Sequence, residues 1–181
     1  MNIEIIAGST RDESLSIRVA KHLQSNLRST TDHEVGLIAM SEITLPFVEK
    51  VFTTASDAPE EIRSYAQRMF NADAFIICTP EYNGSYTPAL KNFFDHFPKQ
   101  SRKTFGLVTA SPGMMGGMRA AQQLLQMVPG FFGIASPMML IVPDVTGKFE
   151  ENGTLKIPAF QKNVDTFVTE FLWLAERLSA E

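Results

Sequence analysis

The sequence predicts an α/β fold, a single parallel sheet covered by helices on both faces. Three observations predict it. Short apolar runs of strand length alternate with longer segments whose apolar residues recur at helical spacing. One such run, Ala74–Cys78, has the length and β-branched content of a strand buried on both faces. Finally, 181 residues that are 44% hydrophobic suffice for one sizeable core, and no repeat, linker or low-complexity segment divides them. One domain over residues 1–181 is expected.

Each element can be justified in order. Ile3–Ala7 reads as strand one and ends at Gly8. The polar segment Gly8–Ser16 leads into helix one, with Val19, Ala20, Leu23 and Leu27 facing inward. Glu34–Met40 is strand two. Ser41–Asp57 is a long connection holding Pro46 and three threonines, and its pattern assigns it no element. Helix two should start near Pro59, a residue favoured in a first turn, with Glu60 and Glu61 at the positive end of the dipole. Its inward face is Ile62, Tyr65, Ala66, Met69 and Phe70.

Strand three, Ala74–Cys78, is stopped by Pro80, which cannot donate to a ladder. Asn83-Gly84 is a turn dipeptide tolerant of positive φ. Thr87-Pro88 then opens helix three, which runs to Phe97 and presents Leu90, Phe93, Phe94 and Phe97. Thr104–Thr109 is strand four, and Ala110–Gly117 a glycine-rich loop. Helix four offers Ala121, Leu124, Leu125 and Val128, and Pro137–Val142 is strand five. Asn152-Gly153 marks a small hairpin. The last helix has the cleanest period in the chain, through Val164, Phe167, Val168, Phe171, Leu172, Ala175 and Leu178. Five strands favour a flavodoxin-like three-layer arrangement of order 2-1-3-4-5, whose switch point lies between strands one and three. The loops after those strands are the two richest in unusual residues.

Composition narrows the function. Sixteen basic against 20 acidic residues give −4, which argues against nucleic-acid or membrane-surface binding. No apolar run approaches the length of a membrane span, and Met1–Ala7 lacks the layout of a signal peptide, so a cytoplasmic protein is expected. Cys78 is the only cysteine, and His22, His33 and His96 show no ligand pattern, so no metal site is expected.

The two loops carry the chemistry. After strand one come the hydroxyls of Ser9, Thr10, Ser14 and Ser16, the guanidinium of Arg11 and the free N–H groups of a helix start, which together make an anion site. The alternative is a polar loop capped by Ser14 or Ser16 with Arg11 in solvent; Asp12 and Glu13 oppose an anion unless they point outward. Neither G-x-x-x-x-G-K-[ST] nor G-x-G-x-x-G occurs, so triphosphate and dinucleotide loops are excluded. What fits is a terminal phosphate, as on a mononucleotide. After strand three, Thr79-Pro80-Glu81-Tyr82-Asn83-Gly84-Ser85 is an amide-rich loop with one ring, suited to a planar hydrogen-bonding ligand.

Gly8-Ser9-Thr10-Arg11 with Ser14, and Thr79–Ser85 with Leu90-Lys91-Asn92, resemble the NADPH-dependent FMN reductase family. Ala110-Ser111-Pro112-Gly113 with Gly116-Gly117 and Arg119-Ala120 is similar to that family's loop after strand four, and Phe149–Gly153 resembles a later segment. The resemblance implies a flavodoxin-like enzyme that passes hydride from NADPH or NADH through bound FMN to a small acceptor such as a quinone, chromate, an azo compound or flavin. It implies that Ser9, Arg11, Ser14 and Ser16 hold the FMN phosphate, and that Pro80, Glu81, Tyr82, Asn83 and Gly84 line the isoalloxazine. Ser111, Gly113, Gly116 and Gly117 would approach its other edge. A homodimer or homotetramer is implied as well. No catalytic side chain is expected, because FMN carries the chemistry.

Other readings stand beside these. Tyr82 could pack, Glu81 could pair with an arginine across a subunit interface, and Gly116-Gly117 could simply begin helix four. Cys78 reads as an inert strand residue, His96 as structural, and Met114, Met115, Met118, Phe131 and Phe132 as core or as a dimer face. The competing functions are a flavodoxin-like electron carrier without a nicotinamide site and a flavin-free binding domain.

Overall fold

In the computed structural model, which describes residues 1–180, the strands are β1 (Asn2–Ala7), β2 (Glu34–Ala39), β3 (Ala74–Thr79), β4 (Thr104–Ala110) and β5 (Ile134–Val142). They form one parallel sheet in the order β2-β1-β3-β4-β5, as expected. The helices are α1 (Ser16–Thr30), α2 (Arg63–Asn71), α3 (Pro88–Asp95), α4 (Met118–Gly130), the short α5 (Val145–Lys148) and α6 (Gln161–Ser179).

The period of two along the strands sorts the core into two layers. Ile5 and Ile76 face α1 and α6, where they meet Leu23, Phe167 and Phe171. Ile6 and Ile77 face α2, α3 and α4, where they meet Met69, Phe93, Phe94, Leu124 and Val128. Every residue of β3 and β4 is buried, which places both at the centre of the sheet. Each such Ile, Leu or Phe contributes about 1.5–3 kcal/mol on burial. No helix among the described residues is long and apolar enough to cross a membrane.

One buried charge interrupts the apolar strands. Glu4 on β1 is 6% exposed and accepts from Arg68 of α2 at 3.0 and 2.6 Å, a bidentate pair. Gly36 on β2 makes room for it, since a Cβ there would strike both partners. At the outer edge of β2, Arg28 donates twice to the Val35 carbonyl, at 2.9 and 2.6 Å. The other edge strand, β5, carries a bulge opposite Gly106, because Phe105 pairs with Ala135 but Leu107 with Met139.

That bulge explains one difference from the sequence reading. β5 begins at Ile134 rather than Pro137, since an irregular edge position tolerates a proline inside a strand. Helix α2 begins at Arg63, after a 3-10 turn over Glu60–Ile62. On α4 the buried face is Ala120, Ala121, Leu124, Met127 and Val128, with Leu125 only half-buried. The helix α5 was not expected.

The long connection 41–57 is held by distant partners rather than by a period of its own. The Asn92 amide of α3 accepts from the Val48 N–H at 3.0 Å and donates to the Pro46 carbonyl at 2.8 Å. Phe52 is buried against His96 and Phe97. The Asp57 carboxylate accepts from Thr53 and Thr54, and these bonds hold its pKa down at about 2.

Candidate functional site

A cavity of about 440 Å³ opens beyond the carboxyl ends of β1, β3 and β4, at the point where the sheet order reverses. Of the residues the sequence points to, Ser9, Arg11, Ser14, Pro80, Glu81, Tyr82, Asn83 and Ser111 line it. Ser16 does not. It is fully buried, and its hydroxyl lies 3.2 Å from that of Ser14. Gly84, Gly113, Gly116 and Gly117 are not among the lining residues either. Glu13, Leu15, Ala110 and Pro112 also line the cavity, though the sequence singled out none of them as a binding residue.

The first wall is the loop after β1. Its start is fixed by backbone pairing of the Gly8 N–H to the Cys78 carbonyl at 2.8 Å. The Thr87 hydroxyl donates to the Gly8 carbonyl while accepting from the Leu90 N–H at the start of α3. Thr87 thus ties the loop to α3, a role without a sequence signal beyond its position before Pro88. The N-terminus of α1 carries no side-chain cap and no acidic residue in its first turn. Ser14 and Ser16 face each other instead of capping, so the first turn of the helix, next to the lining residues Ser14 and Leu15, receives no side-chain cap. Arg11 makes no ion pair among the described residues.

The second wall is the loop after β3. Tyr82 and Ser85 exchange backbone hydrogen bonds at 2.8 and 3.1 Å around Asn83 and Gly84, whose φ values are 52° and 85°. Two successive positive φ angles make this a type I′ turn, which Asn-Gly favours. The turn points the Tyr82 ring at the first wall. The Tyr82 and Ser9 hydroxyls lie 3.2 Å apart, and the Arg11 guanidinium sits 4.5 Å from the ring centroid.

The third wall is the loop after β4. Gly116 and Gly117 both have positive φ, and a Cβ on Gly116 would lie 2.7 Å from the Pro143 nitrogen and 3.0 Å from the Val142 carbonyl carbon. Backbone cannot yield, so only glycine fits. Glu81 reaches across from the second wall. Its carboxylate accepts from the Arg119 N–H at 3.1 Å and from the Arg119 guanidinium at 3.5 Å, capping the first turn of α4 within one chain.

Two chemically suggestive side chains do nothing here. Cys78 is buried, donates to the Ser16 carbonyl, and has its thiol pKa pushed up by desolvation, so it carries no thiolate at neutral pH. His96 is 4% exposed, with its Nδ1 2.8 Å from the Asn92 carbonyl oxygen, and it lines a separate hollow with Phe52 and Pro59. Among the described residues no group of three His, Cys, Asp or Glu could hold a metal. Phe131 belongs to the core, stacked on Phe94 at 5.1 Å, while Met114, Met115 and Phe132 are exposed.

Comparison with known proteins adds to this geometry. Residues 1–145 match the sequence model of NADPH-dependent FMN reductases. A protein of Staphylococcus haemolyticus named FMN-dependent NADPH-azoreductase is 28% identical over 174 residues, covering 93% of this chain and 92% of its own. Its Staphylococcus aureus counterpart shows the same identity and coverage. Among solved structures, the flavoenzyme NAD(P)H:(acceptor) oxidoreductase FerB of Paracoccus denitrificans superposes with a TM-score of 0.81 at 24% identity, over 97% of both chains. A flavodoxin of Pseudomonas aeruginosa shares the fold with a TM-score of 0.57 at 15% identity, over 99% of this chain and 98% of its own.

Proposed function

The chain belongs to the NADPH-dependent FMN reductase family, and from that membership we propose that the cavity beyond β1, β3 and β4 is its FMN site. The chain is accordingly an NAD(P)H-dependent flavin oxidoreductase acting on a small-molecule acceptor. Bound FMN would supply the chemistry, taking a hydride from the nicotinamide and passing electrons on.

The residues fit such a group. The observation that carries the reading is the uncapped start of α1 beside Ser9, Ser14 and Arg11, directly across an open hollow from the type I′ turn. A phosphate there would receive charge-assisted hydrogen bonds from the guanidinium, the hydroxyls and the helix N–H groups, each contributing about 1.5–3 kcal/mol. Pro80, Glu81, Asn83 and the turn at Gly84 would border the ring system on one side, with Tyr82 toward Arg11 and Ser9 at the phosphate end. Ser111, with the backbone shaped by Gly113, Gly116 and Gly117, would border it on the other. Ser16 supports the phosphate side through Ser14 rather than by contact. These walls position and desolvate; no side chain is asked to move a proton.

Azo compounds are the acceptor class we favour, by analogy with the two staphylococcal azoreductases, with quinones, chromate and free flavins as further candidates. We further place the protein in the cytoplasm as a homodimer or homotetramer of one domain, with exposed Met114, Met115 and Phe132 available for a contact between copies. The visible spectrum of the purified protein tests the assignment. A flavin absorbance that bleaches on anaerobic addition of NADPH, then recovers with an azo dye, supports it. Colourless protein that takes up no added FMN overturns it. Arg11→Ala should purify with less flavin, and sedimentation velocity should report more than one copy.

A further inference from the structure

Arg11 is an exposed side chain without a carboxylate partner among the described residues, yet it is not left to solvent. Its guanidinium lies over the face of Tyr82, 4.5 Å from the ring centroid. The ring is itself fixed at both ends. Its backbone is locked in the type I′ turn by the paired bonds with Ser85, and its hydroxyl is 3.2 Å from Ser9, which is 3% exposed. Ser9 also accepts from the Arg11 N–H at 3.3 Å. Arg11, Ser9 and Tyr82 therefore form a closed ring of contacts that bridges the two loops.

We propose that Tyr82 is a positioning residue for the phosphate group, acting through Arg11. It serves as a platform that holds the guanidinium at the phosphate loop before the ligand arrives. The inference rests on the FMN reading above and changes the part the family resemblance implies for Tyr82, from a ring that contacts the isoalloxazine to one that serves the opposite end of the ligand. The physical reason is entropy. A free arginine loses several rotatable bonds' worth of freedom when it closes on an anion, whereas a stacked guanidinium has lost that freedom already. The cation–π contact sustains the arrangement without neutralising the charge that the phosphate needs. A carboxylate partner would have held Arg11 as firmly but would have competed with the ligand.

The test uses the full chain stripped of flavin and titrated with FMN or with riboflavin, which lacks the phosphate, following flavin fluorescence. Tyr82→Leu keeps apolar bulk and removes the π face, so FMN affinity should fall about fivefold to tenfold while riboflavin affinity stays the same. Tyr82→Phe keeps the stack and should rescue FMN affinity to within about twofold of the parent. In an Arg11→Ala background, Tyr82→Leu should have no further effect on FMN. Equal losses for FMN and riboflavin, or additive effects in the double variant, would show that the ring touches the ligand directly and would overturn the proposal. Tyr82→Phe as impaired as Tyr82→Leu would assign the effect to the Ser9 hydrogen bond and overturn it as well. If Arg11→Ala alone binds FMN as tightly as the parent, the phosphate assignment itself fails, a result distinguishable from the others.

Discussion

Removing the Glu81 carboxylate should loosen the joint between the loop after β3 and the start of α4. Two interactions are lost in Glu81→Ala. The Arg119 N–H, one of the donors a helix start leaves unsatisfied, gives up a charged acceptor at 3.1 Å. Hydrogen bonds to charged groups contribute about 1.5–3 kcal/mol, and a bond of this length belongs at the lower end. The ion pair to the Arg119 side chain adds little. That side chain is 65% exposed against 17% for Glu81, and exposed pairs fall in the range of about 0–1 kcal/mol. A loss of about 2 kcal/mol follows, equivalent to a drop of about 4–8 °C in Tm for a chain of this size. Glu81→Gln keeps an acceptor for the N–H but not the charge, and should recover about half. Thermal unfolding followed by circular dichroism on the flavin-free protein gives the stability term, and FMN titration reports whether the wall has moved. An alanine variant within about 0.5 kcal/mol of the parent would show that α4 begins without help from Glu81.

Three further outcomes are expected. Arg68→Ala strands the Glu4 carboxylate under α2 and should cost about 2–3 kcal/mol in urea unfolding, the low side for a broken buried pair because Arg68 is a third exposed; Glu4→Gln with Arg68→Ala should recover part of it. Gly116→Ala forces both a left-handed backbone and contacts with Val142 and Pro143. It should cost about 2–4 kcal/mol and reduce FMN retention, while Gly130→Ala on the outer end of α4, where a Cβ meets nothing, should be near neutral. His22 has its pKa lowered by burial, and its Nδ1 lies 3.0 Å from the Gly153 carbonyl oxygen while Nε2 has no partner. The folded state therefore binds the proton less readily than the unfolded chain. Stability should be full above the ordinary value of 6.5 and fall as pH drops below it, a slope that His22→Asn should flatten in denaturant titrations run across that range.

The fold was legible because its signals are local. The alternation of Ile5 with Ile6 and of Ile76 with Ile77 between two helical layers, and the period of α6, follow from residues near one another in the chain. Pro80, Asn83 and Gly84 announced a turn whose φ angles came out as those residue types allow. What the sequence did not disclose depends on partners far away. Residues 41–57 have no period because Asn92 of α3, with His96 and Phe97 just past its end, holds them. On α4, Met127 is buried in the layer that holds Phe94 and Phe105 while Leu125 packs against it only in part, a difference set by neighbours that a helical wheel does not contain. At the site, residue types identified the two loops, but Glu81 bonding within its own chain and Tyr82 lying under Arg11 are facts of side-chain reach.

The way the sheet ends has a consequence for how copies of this chain can meet. One margin has its outward carbonyl at Val35 taken up by Arg28, and the other is kinked where Pro137 interrupts the ladder. Neither margin offers an unbroken row of donors and acceptors to a neighbouring chain. Continuing the sheet from one copy into the next is hindered at both margins, and contact through side-chain surfaces is correspondingly favoured over a run-on ribbon of strands.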